Sequence, residues 1–238
     1  MSLDSPRSPS APSALVFDLD GTLVDSRRDI AEACNATRVA HRLPPLAFET
    51  ILGMVGDGAR ALVARAFGAA IDEPIVDAAL ATYSRLYLER PAVHTVLLPG
   101  AREMLEDAAA LALPCALLTN KPRDVTLVVL DALTIAPFFR VIFGGGDGPL
   151  KPSPAGLEHV VARLEVTARD VWMIGDGPQD IGAGRAAGCF TVGVPGIAER
   201  ERLLASAPDL VVESLLELRD VLRASEALRA DPAARRPL

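Results

Sequence analysis

The chain has 238 residues, half of them apolar, enough for one large domain or for one domain that carries an insertion. Its 31 acidic and 24 basic residues leave a net charge of −7, which argues against general nucleic-acid binding but not against an anionic substrate, because a metal and one lysine can invert the local sign. No stretch reaches the ~18 uninterrupted apolar residues of a membrane span, the Ser/Pro-rich start lacks the hydrophobic region of a signal peptide, and the scattered Cys34, Cys115 and Cys189 read as buried reduced thiols of a cytoplasmic protein.

In chain order, residues 1–12 read as a disordered tail. The apolar run Ala14–Asp18 is the first predicted strand, and it ends in Asp18-Leu19-Asp20-Gly21-Thr22. Two carboxylates two residues apart at a strand end lie close together; at roughly 4 Å and an effective dielectric of about 20 they repel by about 4 kcal/mol. A fold keeps such a pair where a cation, a shared proton or a chemical step uses it. One Asp can then act as a nucleophile, the other as an acid/base, and both can help hold a divalent metal; the plainer reading is a solvated turn. An EF-hand loop is excluded, because its Gly and Glu positions hold Leu23 and Asp29.

Ser26 and Asp29 have the spacing of a capping box and open a helix whose apolar face is Ile30, Ala33, Cys34 and Thr37. Pro44-Pro45 closes that segment, and further helical patterns run over Asp57–Phe67 and Glu73–Arg90. Helices inserted straight after a first strand can hang over its end as a lid, or form a bundle packed elsewhere. His41, His94 and His159 are isolated and read as surface or packing residues.

From residue 114 onward short β-like runs alternate with helical patterns: Pro114–Thr119, Val141–Phe143, Val171–Gly175, Phe190–Val194 and Asp209–Val212. The alternation predicts an α/β fold, a doubly wound parallel sheet (Rossmann-like) with an inserted α-helical cap. The expected division is a core of residues 13–26 and 98–223, a cap of 27–97 and a flexible tail of 224–238. Ligands of such sheets bind beyond the carboxyl ends of the strands, and the remaining chemistry falls there. Thr119-Asn120 offers a hydroxyl and a backbone N–H to a phosphate oxygen, or is a simple turn. Gly144-Gly145-Gly146-Asp147-Gly148 fits neither the P-loop nor the dinucleotide fingerprint and reads first as loop flexibility. It leads to Lys151 in a proline-braced loop. Gly175-Asp176-Gly177-Pro178-Gln179-Asp180 adds a second acidic pair, with Asp176 as a direct metal ligand and Asp180 as a more distant partner, although either alone could be a helix cap.

In this order the motifs resemble those of the haloacid dehalogenase superfamily of phosphohydrolases, over roughly residues 14–222, and within it the phosphoglycolate phosphatases. The latter likeness rests on residues 17–26, 53–65, 90–95, 119–122, 144–154 and 175–188. Two departures stand out: Gly177 holds a place often taken by Ser, and the loop from Gly145 to Lys151 is short. The resemblance implies that Asp18 attacks phosphorus and becomes an aspartyl-phosphate, while Asp20 protonates the leaving oxygen and then activates water. It further implies Mg²⁺ held by Asp18, the Asp20 carbonyl and Asp176 with Asp180 nearby, and phosphate oxygens held by Thr119, Asn120 and Lys151. In the cap, the Gly56-Asp57-Gly58 turn and Arg60 could hold the carboxylate of a small acid such as 2-phosphoglycolate, or be an ordinary capped helix.

Alternatives within the enzyme class are a phosphatase for a sugar phosphate or nucleotide, or a β-phosphoglucomutase-like mutase. A dehalogenase has no use for the acid/base Asp20, and a phosphonate hydrolase needs a cap lysine, which residues 27–97 lack. A phospho-acceptor signalling domain shares Asp, Thr and Lys but has no need of a large lid, and a silent binder would not need every motif residue. The expected partner is a small anionic phosphomonoester, with no nucleic acid and no membrane; oligomeric state is not readable.

Overall fold

The computed structural model describes residues 9–195 and 200–230. The elements are β1 (Ala14–Phe17), β2 (Val24–Asp25), α1 (Arg27–Ala40), α2 (Phe48–Leu52), α3 (Ala59–Phe67), α4 (Pro74–Glu89), β3 (Val96–Leu97), α5 (Ala101–Ala110), β4 (Cys115–Pro122) and α6 (Arg123–Ala132). They continue with β5 (Phe139–Gly145), α7 (Ala155–Leu164), β6 (Val171–Gly175), α8 (Pro178–Ala186), β7 (Phe190–Gly193), α9 (Arg200–Ala205), β8 (Leu210–Val211) and α10 (Leu215–Ala230).

Six strands form one parallel sheet in the order β5-β4-β1-β6-β7-β8. Apolar side chains fill both faces, which is why the strands read as continuous apolar runs rather than alternating ones. Successive residues still point to opposite faces. Leu15, Phe17, Leu117, Trp172 and Ile174 join one core cluster, and Ala14, Val16, Ala116, Leu118, Val171 and Met173 the other. The expected α/β doubly wound sheet is the observed one.

The chain leaves β1 for β4 and β5 on one side and returns for β6, β7 and β8 on the other. That reversal opens a crevice at the carboxyl ends of β1, β4 and β6, where a doubly wound sheet binds ligands. Helices α1–α4 are inserted between β2 and β3, which pair antiparallel through Val24–Leu97 and Asp25–Val96. These two-residue strands are too short to be read from sequence. Together they bring the two ends of the helical insertion, the cap, next to β1.

Three expectations are corrected. Ser26 and Asp29 form no capping box: Ser26 makes no side-chain cap and donates instead to Asp20. Asp29 accepts from Thr95 N at 2.8 Å, Thr95 Oγ1 at 2.6 Å and His94 N, so buried donors entering β3 outcompete the local cap. The tail expected from residue 224 is helical through Ala230, with Ser225 buried and Glu226 paired with Arg229. Residues 1–8 and 231–238 lie outside the described residues. The Gly144–Gly148 stretch is packed rather than free. A Cβ at Gly144 would lie 2.8 Å from Arg123 Cα and one at Gly145 2.9 Å from the Asn120 carbonyl, while Asp147 ties the turn to Gly144 N and Arg123.

Candidate active site

A cavity of about 200 Å³ lies beyond the carboxyl ends of β1, β4 and β6. Its floor carries Asp18, Asp20, Thr119, Asn120, Lys121, Lys151, Asp176 and Asp180; its roof is Ile30, Leu52, Val55, Gly56, Gly58, Leu62 and Tyr83 of the cap. Four segments distant in sequence thus meet at the strand ends where their motifs predict a site.

Lys151 is the hub of the floor. Its buried Nζ donates to Asp18 Oδ1 at 2.7 Å, to Asp180 Oδ1 at 2.6 Å and to the Leu118 carbonyl at 2.7 Å. An ammonium has three protons, so the donor is saturated. Asn120 holds the backbone of Lys151 from both sides, accepting from its N–H at 2.8 Å and donating to its carbonyl at 3.0 Å. Asp180 also accepts from Gly177 N at 3.1 Å and so fixes the first turn of α8.

Oxygens of Asp18, Asp176 and Asp180 lie within 4.8 Å of one another. Three carboxyl groups share one ammonium in a buried place, so their negative charge is crowded. Burial pushes Asp18 up to about 6, with Lys151 opposing and Asp180 and Asp20 reinforcing the rise. Burial also raises Asp176, aided by the charges of Asp18 and Asp180. For Lys151 burial works against the charge, but Asp18 and Asp180 outweigh it and the ammonium is held firmly protonated. An all-oxygen, acidic donor set whose carboxyls repel one another suits a hard divalent cation. Gly21 gives that set its space: at φ +88°, a Cβ there would lie 2.1 Å from Asp176 Oδ2.

Asp20 stands apart from this cluster. Its carboxylate accepts from Ser26 Oγ and from Lys121 Nζ at 3.0 and 3.3 Å, and Lys121 in turn donates to Tyr87 Oη of α4 at 2.7 Å. Sequence reasoning missed Lys121 and Tyr87, although Lys121 follows Thr119-Asn120 directly. It also missed the bonds between cap and core, Gln179 Nε2 to Asp57 Oδ1 at 2.7 Å and Asn120 Nδ2 to the Gly56 carbonyl at 3.1 Å. Gly58 suits that approach, since its φ of +88° favours glycine and a Cβ there would crowd the Asn120 carbonyl at 3.3 Å.

Of the residues expected in the cap, Gly56 and Gly58 line the cavity and Arg60 does not. The Arg60 guanidinium turns outward to Asp77 and the Ile71 carbonyl, partners on or before α4 that compensate its charge. The basic groups that do line the cavity are Lys121, Lys151, Arg27 and Arg202. Arg27 is already engaged by Asp25 through two nitrogens, at 2.9 and 2.8 Å.

The haloacid dehalogenase-like hydrolase model matches residues 15–194, from β1 to just past β7. This chain belongs to the haloacid dehalogenase-like hydrolase family. It is 39% identical over 216 residues to a phosphoglycolate phosphatase of Chromobacterium violaceum, covering 88% of this chain and 96% of that one. With a phosphoglycolate phosphatase of Pseudomonas putida the identity is 37% over 213 residues, 87% of this chain and 78% of the relative. A crystal structure of a predicted phosphoglycolate phosphatase from Haemophilus somnus superposes with a TM-score of 0.80 at 26% identity, over 90% of this chain and 99% of that one. These relatives place the chain, as expected, in the phosphatase class of the family. No helix among the described residues is long and apolar enough to cross a membrane.

Proposed function

We propose that the protein is a Mg²⁺-dependent phosphomonoesterase acting on 2-phosphoglycolate through an aspartyl-phosphate on Asp18. The observation that carries this reading is the buried trio Asp18, Asp176 and Asp180, which lines one small cavity together with Asp20. Asp18, Asp176 and the Asp20 backbone carbonyl would hold Mg²⁺, with Asp180 behind them. The cation supplies charge neutralisation and alignment for a phosphate approaching a carboxylate.

Asp18 Oδ is the nucleophile, oriented by Lys151. Asp20 gives a proton to the leaving alkoxide, then takes one from the water that opens the acyl-phosphate, a role worth typically ~10²–10⁴-fold. Thr119 and the Asn120 N–H bind the non-bridging oxygens, and Lys151 joins them by exchanging one of its three present acceptors for phosphate; in a loose transition state such positioning and charge stabilisation dominate. The apolar roof excludes water as the cap sits down, with Gln179–Asp57 and Asn120–Gly56 as its latches. A cavity of about 200 Å³ favours a small ester over a nucleotide. The substrate carboxylate fits Arg202, the cavity-lining guanidinium without a hydrogen bond or ion pair among the described residues. Cys34, Cys115 and Cys189 are free and buried, which fits a reducing cytoplasmic setting.

The test is phosphate release from 2-phosphoglycolate, sugar phosphates and nucleotides, with and without Mg²⁺. Mg²⁺-dependent turnover that prefers 2-phosphoglycolate is expected. Preference for another ester overturns the substrate, and no turnover at all overturns the phosphatase reading.

A further inference from the structure

The chain has 24 Lys and Arg residues, of which just two, residues 121 and 151, are lysines. Both are buried in the floor of the cavity, and every other fixed cation is an arginine. A compact ammonium with three rotatable donors differs from a planar guanidinium, so a lysine kept against such a background marks a place where the smaller head is required. Lys151 has its task. Lys121 has none in the scheme above, yet its side chain is 2% exposed and its Nζ is also saturated.

Its partners come from both halves of the fold. Two contacts are to the Asp20 carboxylate of the core, at 3.0 Å to Oδ1 and 3.3 Å to Oδ2. The third is to Tyr87 Oη of the cap helix α4 at 2.7 Å, with the ammonium also 4.6 Å from the Tyr87 ring centroid. Tyr87 is itself buried, and its ring meets Tyr83, a cavity-lining residue, edge-on at 5.6 Å. Asp20 Oδ1 is occupied by Ser26 and the nearer Lys121 contact; Oδ2 has only the longer one.

We infer that Lys121 and Tyr87 are positioning residues that couple the seating of the cap to the orientation of Asp20. Lys121 and Ser26 pin Oδ1, and Oδ2, held only by the longer Lys121 contact, is the oxygen that exchanges a proton with the leaving group. Tyr87 fixes the ammonium end of a side chain with four rotatable carbons, and it can do so only when α4 lies on the core. The acid/base group is thus set in place by the same closure that excludes water. The inference rests on the acid/base role proposed for Asp20.

The experiment is single-turnover phosphoenzyme formation by rapid quench, with saturating Mg²⁺, on 2-phosphoglycolate and on 4-nitrophenyl phosphate. The first has a poor alkoxide leaving group that needs a proton; the second does not. Asp20→Asn is the reference, and Lys121→Met and Tyr87→Phe are the tests. Positioning predicts that Tyr87→Phe slows the glycolate ester about tenfold and Lys121→Met about hundredfold, each with a clearly smaller loss on the nitrophenyl ester. It also predicts a Mg²⁺-induced rise in Tm like that of the wild type, because neither residue touches the carboxylate trio. Equal losses on both esters, or a change confined to KM, would overturn the coupling. Failure of the underlying reading is distinct: Asp20→Asn would then lose equally on both esters. Should Lys121→Met not fold, Tyr87→Phe, which keeps the ring and deletes one oxygen, decides alone.

Discussion

Replacing Asp18 by asparagine removes one charge from a buried set of three carboxylates that share a single ammonium. In the metal-free protein, burial pushes Asp18 up to about 6 from its ordinary 3.8, with Lys151 opposing the rise and Asp180 reinforcing it. Between about pH 4 and pH 6 the native state therefore binds more protons than the unfolded chain, and native stability falls as pH rises through that window. Below the unfolded value nothing is lost, and above the folded value the penalty is complete. A gap of roughly two units corresponds to about 3 kcal/mol as an upper figure. In a chain of this size 1 kcal/mol moves Tm by about 2–4 °C, so the penalty amounts to at most roughly 6–12 °C. Relief of Asp176, which the Asp18 charge also raises, has the same sign. Melting in EDTA should therefore place Asp18→Asn above the wild type near about pH 7.5, with the two curves converging toward about pH 4. Added Mg²⁺ should then stabilise the wild type far more than the variant. A variant that melts with or below the wild type at every pH would refute the reasoning that the metal-free site carries uncompensated charge.

Two further substitutions test other parts of the site. Gly21→Ala forces a Cβ onto Asp176 Oδ2 at a positive φ, and should weaken Mg²⁺ binding about 10–100-fold in a titration of Tm; unchanged affinity would remove Asp176 from the ligand set. Arg202→Ala should raise KM for acidic phosphomonoesters about tenfold and for neutral ones much less, as loss of a charge-assisted hydrogen bond requires. Arg60→Ala, its guanidinium turned outward, should leave both KM values alone, and the opposite ranking would return the carboxylate to the cap helix.

The sheet and the floor of the cavity were legible because their signals are local. Asp18, Asp20, Thr119, Lys151, Asp176 and Asp180 each sit within a few residues of a buried strand end, so a topological rule collects them without knowledge of packing. Relations across long separations were not legible. Lys121 and Asp20 are 101 positions apart and meet through the pairing of β1 with β4; Lys121 and Tyr87 are 34 apart and meet through the seating of α4 on the core. Local patterns also misled where a tertiary partner offered more. Ser26 and Asp29 have the spacing of a cap, yet buried Thr95 and the Asp20 carboxylate claim them. Arg60 begins α3 beside a glycine-flanked turn, yet its guanidinium pairs with Asp77 and does not line the cavity. The glycines at 144 and 145 suggested freedom, whereas they let β5 pack against the backbone of β4 and α6.

The most direct test is to quench the wild-type protein during turnover of 2-phosphoglycolate with Mg²⁺ and to map covalent phosphate by mass spectrometry. A phosphoryl group on the peptide carrying Asp18, formed with Mg²⁺, absent without it and absent in Asp18→Asn, is the predicted result. Turnover with phosphate on another residue or on none, or full turnover by Asp18→Asn, would contradict the assignment of Asp18 as the nucleophile.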